Sequence, residues 1–228
     1  VTSLAAGSCL ADSHAWICGE YLRTYSGVIQ HALYQHISLT ATALGFAMLV
    51  AIPLTALATW KRWLRAGIMA TLGVIYTIPS LALFVLLQPY LGIGHATPVV
   101  IALVAYAQLL LIRNVLVGFD GVPEESIEAA RGLGYGPVEL VLKVRLPLAL
   151  PAILAGLRVT TVSTIALLTI GGLIGQGGLG TLLNDGFQRD IYAQILVSLV
   201  LIVVLAVVAD LLLLLAQRML SPWQQARP

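Results

Sequence analysis

An all-α, polytopic membrane protein with about five spanning helices is the fold class the sequence predicts, and three observations predict it. Only 10% of the 228 residues are charged, where a soluble domain carries about 25%. Apolar residues make up 59% of the chain and the mean hydropathy is +0.96, which excludes a water-soluble globule with an ordinary surface. The apolar residues fall in long uncharged runs, 24–60, 66–112, 159–184 and 191–209. Each is near or above the roughly 18 to 20 residues that cross a bilayer, and the second is long enough for two crossings.

The spans are expected at 33–59, 66–87, 99–118, 148–174 and 191–216. Ahead of the first, residues 21–34 place Tyr21, Leu22, Tyr25, Val28, Ile29 and Leu33 as an apolar stripe, the pattern of an amphipathic helix lying in the interface. Pro53 and Pro79 lie inside spans and should kink them, each removing one backbone hydrogen bond. Pro89, Gly92, Gly94 and Pro98 are a cluster of breakers that should form a tight turn between the second and third spans.

The N-terminus lacks a basic region followed by a short apolar core, so the first apolar run is read as an anchor that stays rather than a cleaved leader. Cys9 and Cys18 allow one disulfide or two unpaired thiols. Lys and Arg are distributed unevenly in this topology. Lys61, Arg62, Arg65, Arg113, Arg131, Lys143, Arg145, Arg218 and Arg227 fall on one side and Arg23 and Arg189 on the other. The positive-inside rule then puts the N-terminus outside and the C-terminus in the cytoplasm.

The connection at 119–147 differs from the other loops because it reads as a hairpin of two short helices. Pro123, Glu124 and Glu125 suit a helix start, and Gly132 and Gly134 supply stops. Pro137 opens a second helix with Glu139 and Lys143 at i,i+4 spacing and Leu140, Val141 and Val144 on one side. A solvated loop with incidental helicity is the competing reading.

Within this loop, Glu128, Ala129, Ala130, three residues, Gly134, nine residues, Val144, Arg145, Leu146 and Pro147 resemble the EAA motif of ABC-importer permeases. The usual form ends in Ile, any residue, Leu, Pro, so Val144 for Ile is the one departure. The segments YTIPSLALF (76–84), IRN (112–114), LPLALPAILAGLR (146–158) and LIGQGGLG (173–180) are similar to permeases that take up osmoprotectants such as glycine betaine, choline and carnitine. The resemblance covers about residues 20 to 216. It implies the type I, methionine-permease-like fold in the cytoplasmic (inner) membrane of a prokaryote. The domains are then an extracytoplasmic tail and interfacial helix (1–32), a transmembrane permease domain (33–216) that includes a coupling loop at 119–147, and a cytoplasmic tail (217–228).

The same resemblance implies roles. Glu128, Ala129, Ala130, Gly134, Leu146 and Pro147 would couple the chain to a cytoplasmic ATPase, with small residues allowing close approach and Glu128 offering a charged hydrogen bond. The partners would be two ATP-binding subunits, a second permease subunit, identical or related, an extracytoplasmic binding protein and the lipid bilayer, with no nucleic acid. The chain would bind no cofactor or metal itself, and ATP and Mg would sit on the partner ATPase. Tyr76, Thr77, Ser80, Thr164, Gly171, Gly172, Gly175, Gly177 and Gly178 are the expected pathway lining. Specificity would rest with the binding protein, because only Phe46, Tyr76, Phe84 and Tyr106 lie well inside spans, too few to require an aromatic cage for a quaternary ammonium.

Other chemistry finds little support. Gly175, Gly177 and Gly180 match G-x-G-x-x-G, but no strand precedes them, so a phosphate site gives way to pathway backbone or close helix packing. No Walker A, H-E-x-x-H or G-x-S-x-G sequence occurs, and this is not an enzyme sequence. His14, His31, His36 and His95 lack metal-ligand spacing and read as interfacial polar residues. The rival class is a secondary transporter or channel, which would concentrate ionisable groups near the membrane centre. Apart from Arg113 near the end of the third span, Arg158 and Asp210 are the only charged groups within the spans. They either pair with each other or snorkel separately to headgroups.

Overall fold

A computed structural model describes Cys9 and residues 14–222, the side chain of Arg62 excepted. Trp223 and Arg227 lie outside the described residues. Among the described residues the chain is helical throughout and contains no strand. Ten α-helices follow one another: α1 Gly19–Thr24, α2 Ser26–Trp60, α3 Arg62–Thr77, α4 Ser80–Leu91, α5 Thr97–Asp120, α6 Glu124–Gly132, α7 Pro137–Leu140, α8 Leu146–Gly171, α9 Leu179–Gln188 and α10 Tyr192–Leu220. Four helical segments are long and apolar enough to cross a membrane, and a bent pair makes a fifth. The chain is thus a multi-pass membrane protein.

Helix boundaries depart from the sequence expectation where breakers are weaker or stronger than their composition implies. The amphipathic stretch expected as a separate interfacial helix is the first part of α2, which runs 35 residues without interruption through Pro53. That is about 52 Å at the α-helical rise, well beyond the hydrocarbon core. Only the six residues of α1 precede it. Pro79 does more than kink its span. It has φ −57° and ψ 130° ahead of α4, and α3 and α4 are bent by 94° at the break. A proline lacks the N–H that would continue the helix and drives the residue before it toward extended backbone, here Ile78.

The turn between α4 and α5 forms at Gly92 and Gly94, both with positive φ. Pro89 instead lies within α4, and Pro98 occupies the first turn of α5, where its missing N–H costs nothing. The second arm of the expected hairpin is not an independent helix. From Pro137 to Ile174 the chain is one 38-residue helical run. A π-turn at Val141–Arg145 widens the helix just ahead of Pro147, whose ring conflicts with regular α geometry. The sequence also gives no expectation of α9, which forms directly after the glycine-rich segment.

The chain forms two compact units, one of residues 1–45, 78–104 and 163–207 and the other of 46–77, 105–162 and 208–228. In the first, Leu179 and Leu182 of α9 pack with Ala32 of α2 beside Ile202 and Leu205 of α10. Cys9 and Cys18 form a disulfide with Cα atoms 5.6 Å apart, which resolves the choice the sequence left open. Cys18 is buried with Tyr21 and Ala193, and Tyr192 meets His14 edge to face and Trp16 at a tilt, each ring centroid 4.8 Å away. Burial and the neighbouring Tyr25 push the Tyr21 hydroxyl up to about 12, so it stays neutral.

In the second unit, Val122, Ile127, Leu140 and Ala149 form a core flanked by Phe119 and Ile153. Helices α5 and α8 approach closely there through small residues. A Cβ on Gly156 would lie 2.3 Å from the Asn114 Cβ. Gly156→Val should therefore lower the stability of the purified protein by about 1–3 kcal/mol, the usual cost of overpacking, read as a fall in its thermal unfolding midpoint in detergent.

Candidate functional site

The EAA-like segment lies on α6 and its C-terminal turn. Ile127 and Ala130 are buried, while Glu128 and Ala129 are exposed on the opposite edge. Ile127 anchors the helix in the Val122–Leu140–Ala149 core, so the apolar periodicity of the segment orients its charged edge outward. Among the described residues Glu128 makes no ion pair. Glu124 and Arg131 bracket the helix at 3.7 Å.

Gly134 closes the helix for a reason the sequence reading did not reach. The Gly134 N–H donates to the Arg131 carbonyl (2.9 Å) and the Tyr135 N–H to the Ala130 carbonyl (3.1 Å), which together make a Schellman cap. Gly134 has φ +85°, yet a Cβ there would meet nothing within 4 Å. Within this chain, backbone handedness rather than close approach demands the glycine.

The hairpin continues into α7, where the Gly136 N–H donates to Glu139 Oε2 (3.3 Å) and Lys143 Nζ to Glu139 Oε1 (2.9 Å). A cavity of 420 Å³ opens beneath it, lined by Arg131, Tyr135, Pro137, Leu140, Val141 and Arg145. Arg145 Nε is buried without a hydrogen-bond partner. Leu146 is exposed and Pro147 half-buried.

Arg158 on α8 and Asp210 on α10 are brought together. Nε donates to Oδ1 at 2.9 Å and Nη2 to Oδ2 at 2.7 Å, a bidentate pair whose side chains are 24% and 34% exposed. The geometry makes each the other's partner in a setting where a lone charge is expensive. A second pair, Arg65 on α3 and Asp120 at the end of α5, is also bidentate. The sequence gives no expectation of it, because Arg65 and Asp120 lie just outside the expected spans, where a charge needs no partner.

The residues expected to line a pathway divide between the two units. In one, Tyr76 is exposed and meets Tyr106 edge to face at 5.9 Å, and Thr77 donates to the Val74 carbonyl at 2.7 Å. In the other, Ser80 starts α4 half-buried and Thr164 is buried. Gly171, Gly172, Gly177 and Gly178 are buried and close-packed, and Gly175 is exposed.

His36 corrects the sequence reading. It is a fully buried residue, with Nδ1 2.9 Å from the Gly177 carbonyl and Nε2 3.3 Å from the Ile165 carbonyl. Interfacial placement followed from its position near the start of the first span, which begins a turn and more earlier than expected. A polar side chain inside an uncharged run was the signal available.

Residues 30–225 match the family model described as binding-protein-dependent transport system inner membrane component. The chain belongs to this family. Its curated relatives include the choline transport system permease protein OpuBB of Bacillus subtilis (strain 168), 35% identical over 203 residues that cover 89% of this chain and 93% of that protein. The osmoprotectant import permease protein OsmW of Salmonella typhimurium is 34% identical over 207 residues, covering 89% and 96%. Among solved structures, the MetNI methionine ABC transporter in its inward-facing conformation aligns with a TM-score of 0.79 at 21% identity, over 86% of this chain and 98% of that one. The type I ABC permease fold expected from the resemblance is the fold found.

Two tests follow for this binding-protein-dependent permease. Gly134→Ala and Gly134→Val should each loosen the hairpin by about 1–2 kcal/mol, the penalty for a left-handed L-residue, and Gly134→Asn by less. Faster amide exchange over residues 124–140 is the readout. For the membrane pair, Arg158→Ala should lower the thermal midpoint more than the double variant Arg158→Ala/Asp210→Ala, because the single change strands a charge.

Proposed function

We propose that this chain is the membrane-spanning permease subunit of an ATP-driven importer for osmoprotectants or related quaternary amines, glycine betaine, choline and carnitine among them. The observation that carries the reading is the exposed Glu128–Ala129 edge of α6. It is anchored from behind by Ile127 and Ala130 and ended by the Gly134 cap. An ordered, outward-facing acidic edge at an EAA-like position is what a permease needs to receive the motion of a separate ATPase. The names of the relatives supply the substrate class.

In this reading two such permease chains, identical or related, face one another with two ATP-binding subunits on the hairpin side and a substrate-binding protein on the other. ATP and Mg belong to the ATPase, and Glu128, Ala129, Ala130, Gly134, Leu146 and Pro147 form or support the coupling surface. Positive-inside counting supports an N-terminus outside the cytoplasmic membrane of a prokaryote and a C-terminus within. Tyr76, Thr77, Ser80, Thr164 and the 171–178 glycines serve a weakly binding pathway, so the binding protein sets selectivity.

Co-purification from native membranes tests the assembly, and recovery of an active transporter without any ATPase would remove the reading. Glu128→Lys should reduce ATP-driven uptake of choline or glycine betaine by at least about tenfold, since losing a charge contact that becomes buried when the ATPase docks costs about 2–5 kcal/mol. The variant should insert in the membrane at normal levels. Uptake equal to wild type would contradict the coupling role.

A further inference from the structure

We propose that His36 is a positioning residue for transport: it fixes the glycine-rich backbone at 175–178 to α2, so that this segment moves only with that helix. The segment has almost no side chains of its own to hold it. A Cβ on Gly172 would lie 2.1 Å from the Gly180 carbonyl carbon, one on Gly177 2.2 Å from the Gly172 backbone nitrogen, and one on Gly178 2.6 Å from the His36 backbone nitrogen. Backbone thus rests directly on backbone, and polar side chains provide the remaining ties. Gln176 reaches out to the Gly94 carbonyl at 2.7 Å, and Thr181 Oγ1 accepts from the Gly177 N–H at 3.1 Å.

His36 reaches the segment from α2 and touches α8 with the other side of the same ring. A neutral imidazole has one N–H, so only one of the two contacts is a hydrogen bond; with Nδ1, at the shorter distance, donating to the Gly177 carbonyl, Nε2 lies beside the Ile165 carbonyl without bonding to it. Neither carbonyl needs this ring for satisfaction. Gly177 O already accepts from the Gly180 N–H at 2.9 Å, and Ile165 O from Thr169 Oγ1 at 3.1 Å. An apolar residue at position 36 would strand no acceptor, and it would avoid the cost of burying a polar ring. The imidazole is therefore surplus to the hydrogen-bond needs of these carbonyls, and what it supplies is a fixed distance between α2 and the segment.

The proposal rests on the importer reading for its consequence but not for its geometry, and the test separates the two. The complex, with its ATPase and binding protein, is reconstituted in proteoliposomes with wild-type, His36→Leu or His36→Asn permease. Uptake of choline and of glycine betaine, ATP hydrolysis, and amide exchange at 175–178 are measured. Leucine fills similar space without a donor, and asparagine carries its amide nitrogen on Cγ, as the ring carries Nδ1, so a donor is kept at the same reach. His36→Leu should lower the maximal uptake rate at least tenfold with KM within twofold and ATP hydrolysis within twofold. Exchange at 175–178 should rise at least tenfold. His36→Asn should recover at least a third of the uptake rate and most of the protection.

Unchanged exchange in His36→Leu overturns the proposal, as does equal failure of Leu and Asn, which would assign the site to ring volume alone. If His36→Leu does not assemble, the asparagine variant decides: protected and active supports the proposal, exposed or inactive overturns it. Absence of ATP-driven uptake by the wild-type complex would remove the importer reading, while the exchange data would still decide whether His36 fixes the segment.

Discussion

A main-chain N–H or C=O inside hydrocarbon has no water to bond, and each unsatisfied group costs several kcal/mol. That constraint makes the described chain helical throughout and makes each interruption informative. Where Pro53, Pro89 and Pro151 fall inside helices the ladder continues around them. Where α8 ends, backbone packs on backbone, and His36 from α2 and the segment's own Gln176 supply polar contacts. Gln108 and Gln194 do the same within their own units, donating to the carbonyls of Ala47 and Leu182 at 3.1 and 2.8 Å.

The charged groups follow from the same rule. Arg158 and Asp210 are tolerable within apolar helices because each presents the other with a bidentate partner. Arg65 and Asp120 repeat the arrangement at the ends of α3 and α5, more exposed and so more screened by water. Glu128 contrasts with all four: its helix is anchored on an apolar core, and its carboxylate faces outward.

Hydrophobic run length made the spans legible, since no alternative structure accommodates some twenty uncharged residues. The coupling motif was legible because several residue types recur at fixed spacing between Glu128 and Pro147. Boundaries were less so, because a breaker's effect depends on what surrounds it: Pro53 is absorbed by α2, and Pro79 separates α3 from α4. Gly134 was recognised as a motif position, but its mechanical reason, a left-handed cap, appears only in the backbone angles. His36 was misplaced because a one-dimensional reading measured its distance from a span end, whereas its environment is set by residues about 130 to 140 positions away. Contacts between distant segments leave no periodic trace.

The last helix illustrates a different kind of information. Its most apolar stretch has a mean hydropathy of 3.2, and Val203, Val204, Val207 and Val208 are all about half exposed. A cylinder greasy on all sides is held at its depth by the bilayer but carries no azimuth: any rotation about its axis looks alike to the solvent. Its few polar side chains break that symmetry. Gln194 is tied to Leu182 in one unit. In the other, Asp210 and Gln217 stand seven residues apart on one side of α10, tied to Arg158 and to the Pro151 carbonyl. These groups act as keys in a shaft. They give an otherwise featureless rod an angular setting, and with it a definite face to turn toward whatever lies beside it.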